Sequence, residues 1–253
     1  MTSRESIVVV GLGEVGKPLF EVLSGSYLTT GVDITPPAAV HKADVLHICI
    51  PFEIRDFVGE TARYIEMFRP DLTVVNSTVG VGTTRRIAER TGAAVVNSPV
   101  RGKHVRMRED LRHYTKFIGA MDSSIGEAAA RHFQAAGLKT KVLSTPEATE
   151  LAKLTETTYF GLMIAWAQEL ERYCDLSGAN YEEIISFYDE IGFFPSVKYF
   201  PGVIGGHCVM PNIKILRQFI KSDMLEAIEV SNEMKIEREA RKKEALSQQE
   251  VAV

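Results

Sequence analysis

The first half of the chain alternates short runs of β-branched residues with segments whose apolar positions recur at helical spacing. Strands are predicted at 6–10, 27–33, 45–50, 72–76, 93–97 and 116–120, with helical patterns between most of them. Near-continuous apolar strands separated by helices are the signature of a mostly parallel sheet covered on both faces. The link between Asp33 and Val45 contains Pro36-Pro37 and is too short for an ordinary helical crossover, which needs about a dozen residues. It reads as an extended loop with at most one helical turn.

After Ser144 the pattern changes. Thr145-Pro146-Glu147 has the form of an N-cap followed by proline at the first helical position, and one long helix to about Leu176 is predicted. Gly178-Ala179-Asn180 ends it, and a further helix occupies 181–190. The Gly-, Pro- and Phe-rich stretch 191–210 reads as an ordered loop, and a last helix runs from about Ser222 into the charged, apolar-poor run 235–250. The expected organisation is an α/β domain over 1–144, an all-α domain with the long helix over 145–240, and a charged tail over 241–253.

Composition narrows the function. A net charge of −4 argues against a broad nucleic-acid footprint. No apolar run is long enough to span a bilayer, and 1–5 has no signal-peptide pattern, so a cytoplasmic protein is expected. Cys49, Cys174 and Cys208 are an odd number, widely spaced and without a CxxC pair, which reads as reduced thiols without structural zinc. His104 and His113 have no partner spacing that demands a metal.

The first strand runs directly into Gly11-Leu12-Gly13-Glu14-Val15-Gly16. The first glycine of such a turn permits the bend, the second admits a pyrophosphate, and the third allows helix and strand to pack closely. With Glu14 and Val15 this turn is the expected dinucleotide cradle, at the start of a Rossmann-type sheet. Asp33 ends the next strand, where a carboxylate accepts from ribose hydroxyls and repels a 2′-phosphate, so NAD is expected over NADP. Pro51, in His47–Phe52, and Ser77, in Asn76–Thr84, lie at strand ends on the edge where open α/β sheets bind ligands. Thr78 is expected beside them, touching nicotinamide or orienting a water. Cys49 and His47 read as packing residues, and Thr83 or Thr84 as helix caps. Arg101 and Lys103 follow a strand end, where they could grip a carboxylate or phosphate; the rest of that charged stretch reads as solvated.

In order, "GLGEVG", "NSTVGVGTT", "EATELAKLTETTY" and "GVIGGHC" resemble the UDP-glucose/GDP-mannose dehydrogenase family, and "AIEVSNEMK" resembles that family's central dimerisation helix. The resemblance implies a Rossmann domain, a helical domain and two successive NAD-linked oxidations of a sugar primary alcohol to a carboxylate. It also implies an acyl group held as a thioester on Cys208, with Lys153 working beside it. The expected small-molecule substrate is sugar-like or a small polar anion, and the apolar faces of the long helix from Pro146 and the helix from Ser222 predict a homodimer. Gly205 and Gly206 would let backbone amides approach a ligand, and His207 is expected with them among the substrate contacts. Three positions depart from the family pattern: Val100 stands where glutamate is usual, Thr157 where asparagine is, and Asn212 where aspartate is. Thr157 is nonetheless expected among the catalytic groups and Asn212 among the substrate contacts. "NSPVRGKH" is closer to a segment of the β-hydroxyacid dehydrogenases, which leaves open a two-electron oxidation with Lys153 catalytic and Cys208 lining the pocket. A non-catalytic NAD-binding protein of the same fold is the third alternative.

Overall fold

The computed structural model describes residues 5–33, 42–102, 104–191, 200–206 and 208–251. The chain divides into two compact units, Met1–Lys153 and Leu154–Val253.

The first unit is built on a seven-stranded sheet. Its strands are β1 (Ser6–Val10), β2 (Leu28–Val32), β3 (Val45–Ile48), β4 (Leu72–Val75), β5 (Val95–Asn97), β6 (Lys116–Ala120) and β7 (Thr140–Leu143). Their order is β2-β1-β3-β4-β5-β6-β7, and every neighbouring pair is parallel except β5 and β6. Helices α1 (Gly16–Leu23), α2 (Phe57–Phe68), α3 (Thr83–Thr91), α4 (Met107–His113) and α5 (Ser123–Ala135) accompany it.

Strand alternation sorts side chains between two cores. Ile7 and Val9 join Leu19, Leu23 and Phe133 in one. Val8 and Val10 join Phe57, Tyr64 and Phe68 in the other. This double burial is why β1, β3 and β4 are mostly apolar, each with a single polar residue (Ser6, His47 and Thr73). Strand order reverses at β1, so the crevice beyond the carboxyl ends of β1 and β3 is the switch point where such sheets take ligands.

α6 (Pro146–Ser177) opens in the first unit and continues into the second, which also contains α7 (Tyr181–Asp189), α8 (Val209–Phe219) and α9 (Asp223–Val251). Thr145 caps α6, its hydroxyl accepting from the Ala148 N–H at 3.2 Å, and Gly178 at φ 73° follows its end. Asn180 caps α7 by accepting from the Glu183 N–H at 3.1 Å. Glycine at 161 lets α8 approach α6, since a Cβ there would meet Val209 at 2.7 Å. Lys235 of α9 donates to Glu171 of α6 at 2.7 Å, and Arg238 pairs with Asp175.

Three elements, α5, β7 and α8, were not expected from the sequence. β7 is short and half-exposed, so it lacks the apolar run that marks the inner strands. α8 begins beside the glycine-rich stretch and has Pro211 in its first turn, where a missing N–H costs no helical bond. α9 continues as helix to Val251, through the stretch read as a charged tail. The stretch 34–41, read from the sequence as an extended loop, lies outside the described residues, as do Lys103, His207 and residues 192–199 of the stretch read as an ordered loop. Among the described residues, no helix is long and apolar enough to cross a membrane.

Candidate active site

The glycine turn after β1 has the geometry its sequence required. Gly11 stands at φ 87°, its N–H bonded to the Val32 carbonyl at 2.8 Å, and a Cβ on it would lie 2.8 Å from the Cys49 carbonyl. A Cβ on Gly16 would run into the Gly11 carbonyl. Gly13 differs: a Cβ there would meet nothing within 4 Å. The backbone is therefore bare on the side where α1 begins. Val15 caps that helix with no side-chain hydrogen bond, and Glu14 is exposed beside it. A helix amino end behind an open glycine turn suits a pyrophosphate. Asp33, exposed just past β2, and Pro51, exposed past β3, complete the residues of this unit that could hold a dinucleotide.

Beyond β4, Ser77 turns its hydroxyl onto the Ile50 carbonyl at 2.6 Å, tying the loop after β3 to the loop after β4. Thr78 is half-buried next to it. Beneath them runs a polar chain inside the sheet. Lys116, 3% exposed at the start of β6, donates to Asn76 Oδ1 at 3.1 Å, to the Ser98 carbonyl and to the Pro99 carbonyl at 3.5 Å. The Asn76 amide donates to His47 Nδ1 at 3.1 Å, and His47 Nε2 lies 3.0 Å from His132 Nε2. With Asn76 donating, His47 carries its proton on Nε2 and donates to His132. Burial holds His47 well below the usual histidine range, aided by His132 and Lys116, and brings His132 down to about 4. Both rings are thus neutral near pH 7. Burial also lowers Lys116 to about 7, with Cys49 acting against it and Lys153 with it.

Cys49 packs against the first core, and burial pushes its thiol up to about 12. Val100, at the position where the resembling family has glutamate, is buried in that same core and offers no polar group. Arg101 lays its guanidinium over Tyr114 and Phe117, 5.5 and 5.7 Å from the ring centroids.

The start of α3 is capped differently from expectation. Its N-cap is Gly82 at φ 84°, which has no side chain to bond, and Thr83 and Thr84 are already inside the helix. Glu150, from the first turns of α6, supplies the missing acceptor. Its carboxylate receives the Gly82 N–H at 2.6 Å and the Thr84 N–H at 2.8 Å. One turn further along, Lys153 is half-buried. Leu154 beside it is fully buried, whereas Leu151 is exposed, so only one of the two flanking leucines is in the core.

In the second unit, Cys208 is exposed and is the N-cap of α8, without a side-chain capping bond. Gly205 and Gly206, both exposed, precede it, and Gly206 stands at φ 78°. The loop is clamped from both sides. Gln168 of α6 donates to the Gly202 carbonyl at 2.8 Å. Asn232 of α9 accepts from the Ile204 N–H at 2.7 Å and donates to the Ile204 carbonyl at 3.1 Å. Ser231 completes the cluster, donating to Gln168 Oε1 at 2.8 Å. The two departures within this unit lie together: Asn212, one turn into α8, donates to the Thr157 hydroxyl at 2.8 Å, and both side chains are buried.

Lys116, Glu150, Gln168 and Asn232 were not singled out from the sequence. Glu150 and Asn232 lie within stretches that carry the family resemblance, but their partners are distant along the chain.

A doubly covered, mostly parallel sheet with a glycine-turn crevice, followed by a helical unit opened by one long helix, is a Rossmann-type α/β architecture. Residues 147–236 match the central domain of the UDP-glucose/GDP-mannose dehydrogenase family. Over 81% of its length the chain is 26% identical to an NDP-N-acetyl-D-galactosaminuronic acid dehydrogenase of Ralstonia nicotianae, and it spans 62% of that relative. The fold is similar to that of a UDP-D-ManNAc dehydrogenase from Pyrococcus horikoshii (TM-score 0.84, 22% identity, covering 97% of this chain and 72% of that one). It is also similar to a 3-hydroxyisobutyrate dehydrogenase from Mycobacterium tuberculosis (TM-score 0.70, 17% identity, covering 91% and 94%).

Proposed function

We propose that the chain is an NAD-dependent dehydrogenase that oxidises a primary alcohol of a nucleotide sugar to the carboxylate. The observation that carries the reading is Cys208: an exposed thiol at the amino end of a helix, behind two glycines whose loop is clamped on both sides. NAD, held at the Gly11–Gly16 turn, supplies the hydride acceptor for each oxidation. Lys153 takes the alcohol proton as the first hydride leaves, giving an aldehyde. The Cys208 thiolate adds to that aldehyde, and the hemithioacetal loses a second hydride to become a thioester. Water then cleaves the thioester to the acid and returns the thiol. Backbone N–H groups at the start of α8 are suited to the negative charge that develops on the acyl oxygen. Arg101, held over two rings, is suited to an anionic group of the substrate.

Thr157 and Asn212 favour a second reading in one respect. Their neutral hydrogen bond replaces the asparagine–aspartate pattern of the resembling family, and a two-electron oxidation by Lys153 alone would leave Cys208 as lining. We also infer a homodimer. Trp166 and Tyr173 on α6, with Val230 and Met234 on α9, are each close to half exposed, which suits apolar surface covered by a second copy. The purified chain, mixed with NAD and a panel of nucleotide sugars, sugar phosphates and hydroxy acids, should form NADH with a nucleotide sugar. Turnover confined to hydroxy acids would favour the two-electron reading, and no turnover with any of them would overturn both.

A further inference from the structure

Lysine is the side chain least suited to the interior of a sheet, yet Lys116 is 3% exposed between β5 and β7. Its hydrogen-bond partners suit the charged form, while burial works against it. Three acceptors, Asn76 Oδ1 and the Ser98 and Pro99 carbonyls, meet the three N–H bonds of an ammonium, and the Phe133 ring lies 5.1 Å from Nζ. β6 runs antiparallel to β5, so the start of β6 lies at the carboxyl ends of β4 and β5. The ammonium is thus bonded to Asn76, the residue directly before Ser77 and Thr78, on the edge where the reactive ring of a bound dinucleotide belongs.

We propose that Lys116 sets the relative affinity of the first unit for the two oxidation states of NAD, its buried positive charge disfavouring the cationic nicotinamide of NAD and favouring the neutral ring of NADH. The inference rests on the cofactor reading given above. Its direction favours hydride uptake, because a site that prefers the reduced ring assists its formation. Lys116 touches no reacting atom and is a positioning residue that acts through charge.

The groups facing the ammonium bear on its titration. His47 comes from β3 and Cys49 directly follows that strand, Lys153 comes from α6, and His132 of α5 lies behind His47. The thiol is protonated throughout the neutral range and both histidines are neutral there. Lys116 itself changes charge near pH 7. Its effect should therefore be greatest below that pH and fade above it.

The test is a pair of binding titrations, NAD and NADH, on the whole chain by calorimetry between about pH 6 and about pH 8.5. In the native protein the preference for NADH over NAD should fall roughly three- to tenfold across that range, as expected for the loss of one nearby charge. Lys116→Met should show the weaker preference at every pH, and Lys116→Arg, charged throughout, should hold the stronger one. Lys153→Met should keep the pH dependence, which separates the two lysines. A residue that only supports the fold would weaken both ligands together and leave their ratio unchanged. A flat native ratio, or one unmoved in Lys116→Met, overturns the inference while leaving the cofactor reading intact. If neither form binds the native chain, both fall. The native pH series needs no variant, so a variant that fails to fold does not remove the test.

Discussion

Replacing Asn232 by alanine should loosen the loop that carries Cys208 toward α8. The carboxamide is 3% exposed and makes two bonds to one buried residue, accepting from the Ile204 N–H at 2.7 Å and donating to its carbonyl at 3.1 Å. Alanine would strand a donor and an acceptor in a site with no replacement, and each buried unsatisfied backbone group costs about 1–3 kcal/mol. Some relaxation is expected, because the glycines that follow are exposed, so the combined loss should be roughly 2–4 kcal/mol. For a chain of this size that is a fall in Tm of roughly 5–15 °C, read by urea denaturation and thermal melting. Asn232→Asp keeps the acceptor but sets a carboxylate against the Ile204 carbonyl, so it should not rescue. NAD affinity should be untouched, since the glycine turn belongs to the other unit. A loss below about 0.5 kcal/mol would show that the clamp does not hold the loop.

Three further outcomes follow from individual contacts. His132 has a folded pKa near 4 against an ordinary value of 6.5, so the unfolded chain binds the extra proton between those values. Stability is therefore complete above about pH 6.5 and should fall by up to about 3 kcal/mol as pH drops toward 4; His132→Gln should flatten part of that slope in urea midpoints measured across the range. Glu150→Ala leaves the Gly82 and Thr84 N–H groups without their acceptor and should cost about 2 kcal/mol; Glu150→Gln, which keeps one acceptor oxygen, should recover much of it in the same assay. Asp33→Ala should narrow the preference for NAD over NADP in calorimetric titration, and equal affinities in the native chain would refute the role given to Asp33.

The parts legible in the sequence are those fixed by local pattern. Strands such as β1 and β3 announce themselves because they are apolar on both faces, and the glycine turn because each glycine answers a close contact or a bare backbone. β7 escaped because half-exposed residues with Lys141 in their midst carry no such run. The opposite failure hid Lys116: a lysine at a strand start reads as a solvated edge, and only three-dimensional closure places Asn76, Ser98 and Pro99 around it. Gln168 and Asn232 act on Gly202 and Ile204 across 34 and 28 residues, distances at which no motif spacing reports. Thr157 and Asn212 are visible singly as departures from the family pattern, but their mutual hydrogen bond is a property of the folded helices alone.

The thioester reading is tested most directly by counting NADH formed per nucleotide sugar consumed, in the native protein and in Cys208→Ala. The native protein should form two NADH and one uronate per substrate, with a covalent adduct at Cys208 visible as added mass during turnover. Cys208→Ala should bind NAD normally yet release no carboxylate. One NADH per substrate in the native protein, or undiminished carboxylate formation in Cys208→Ala, would contradict it.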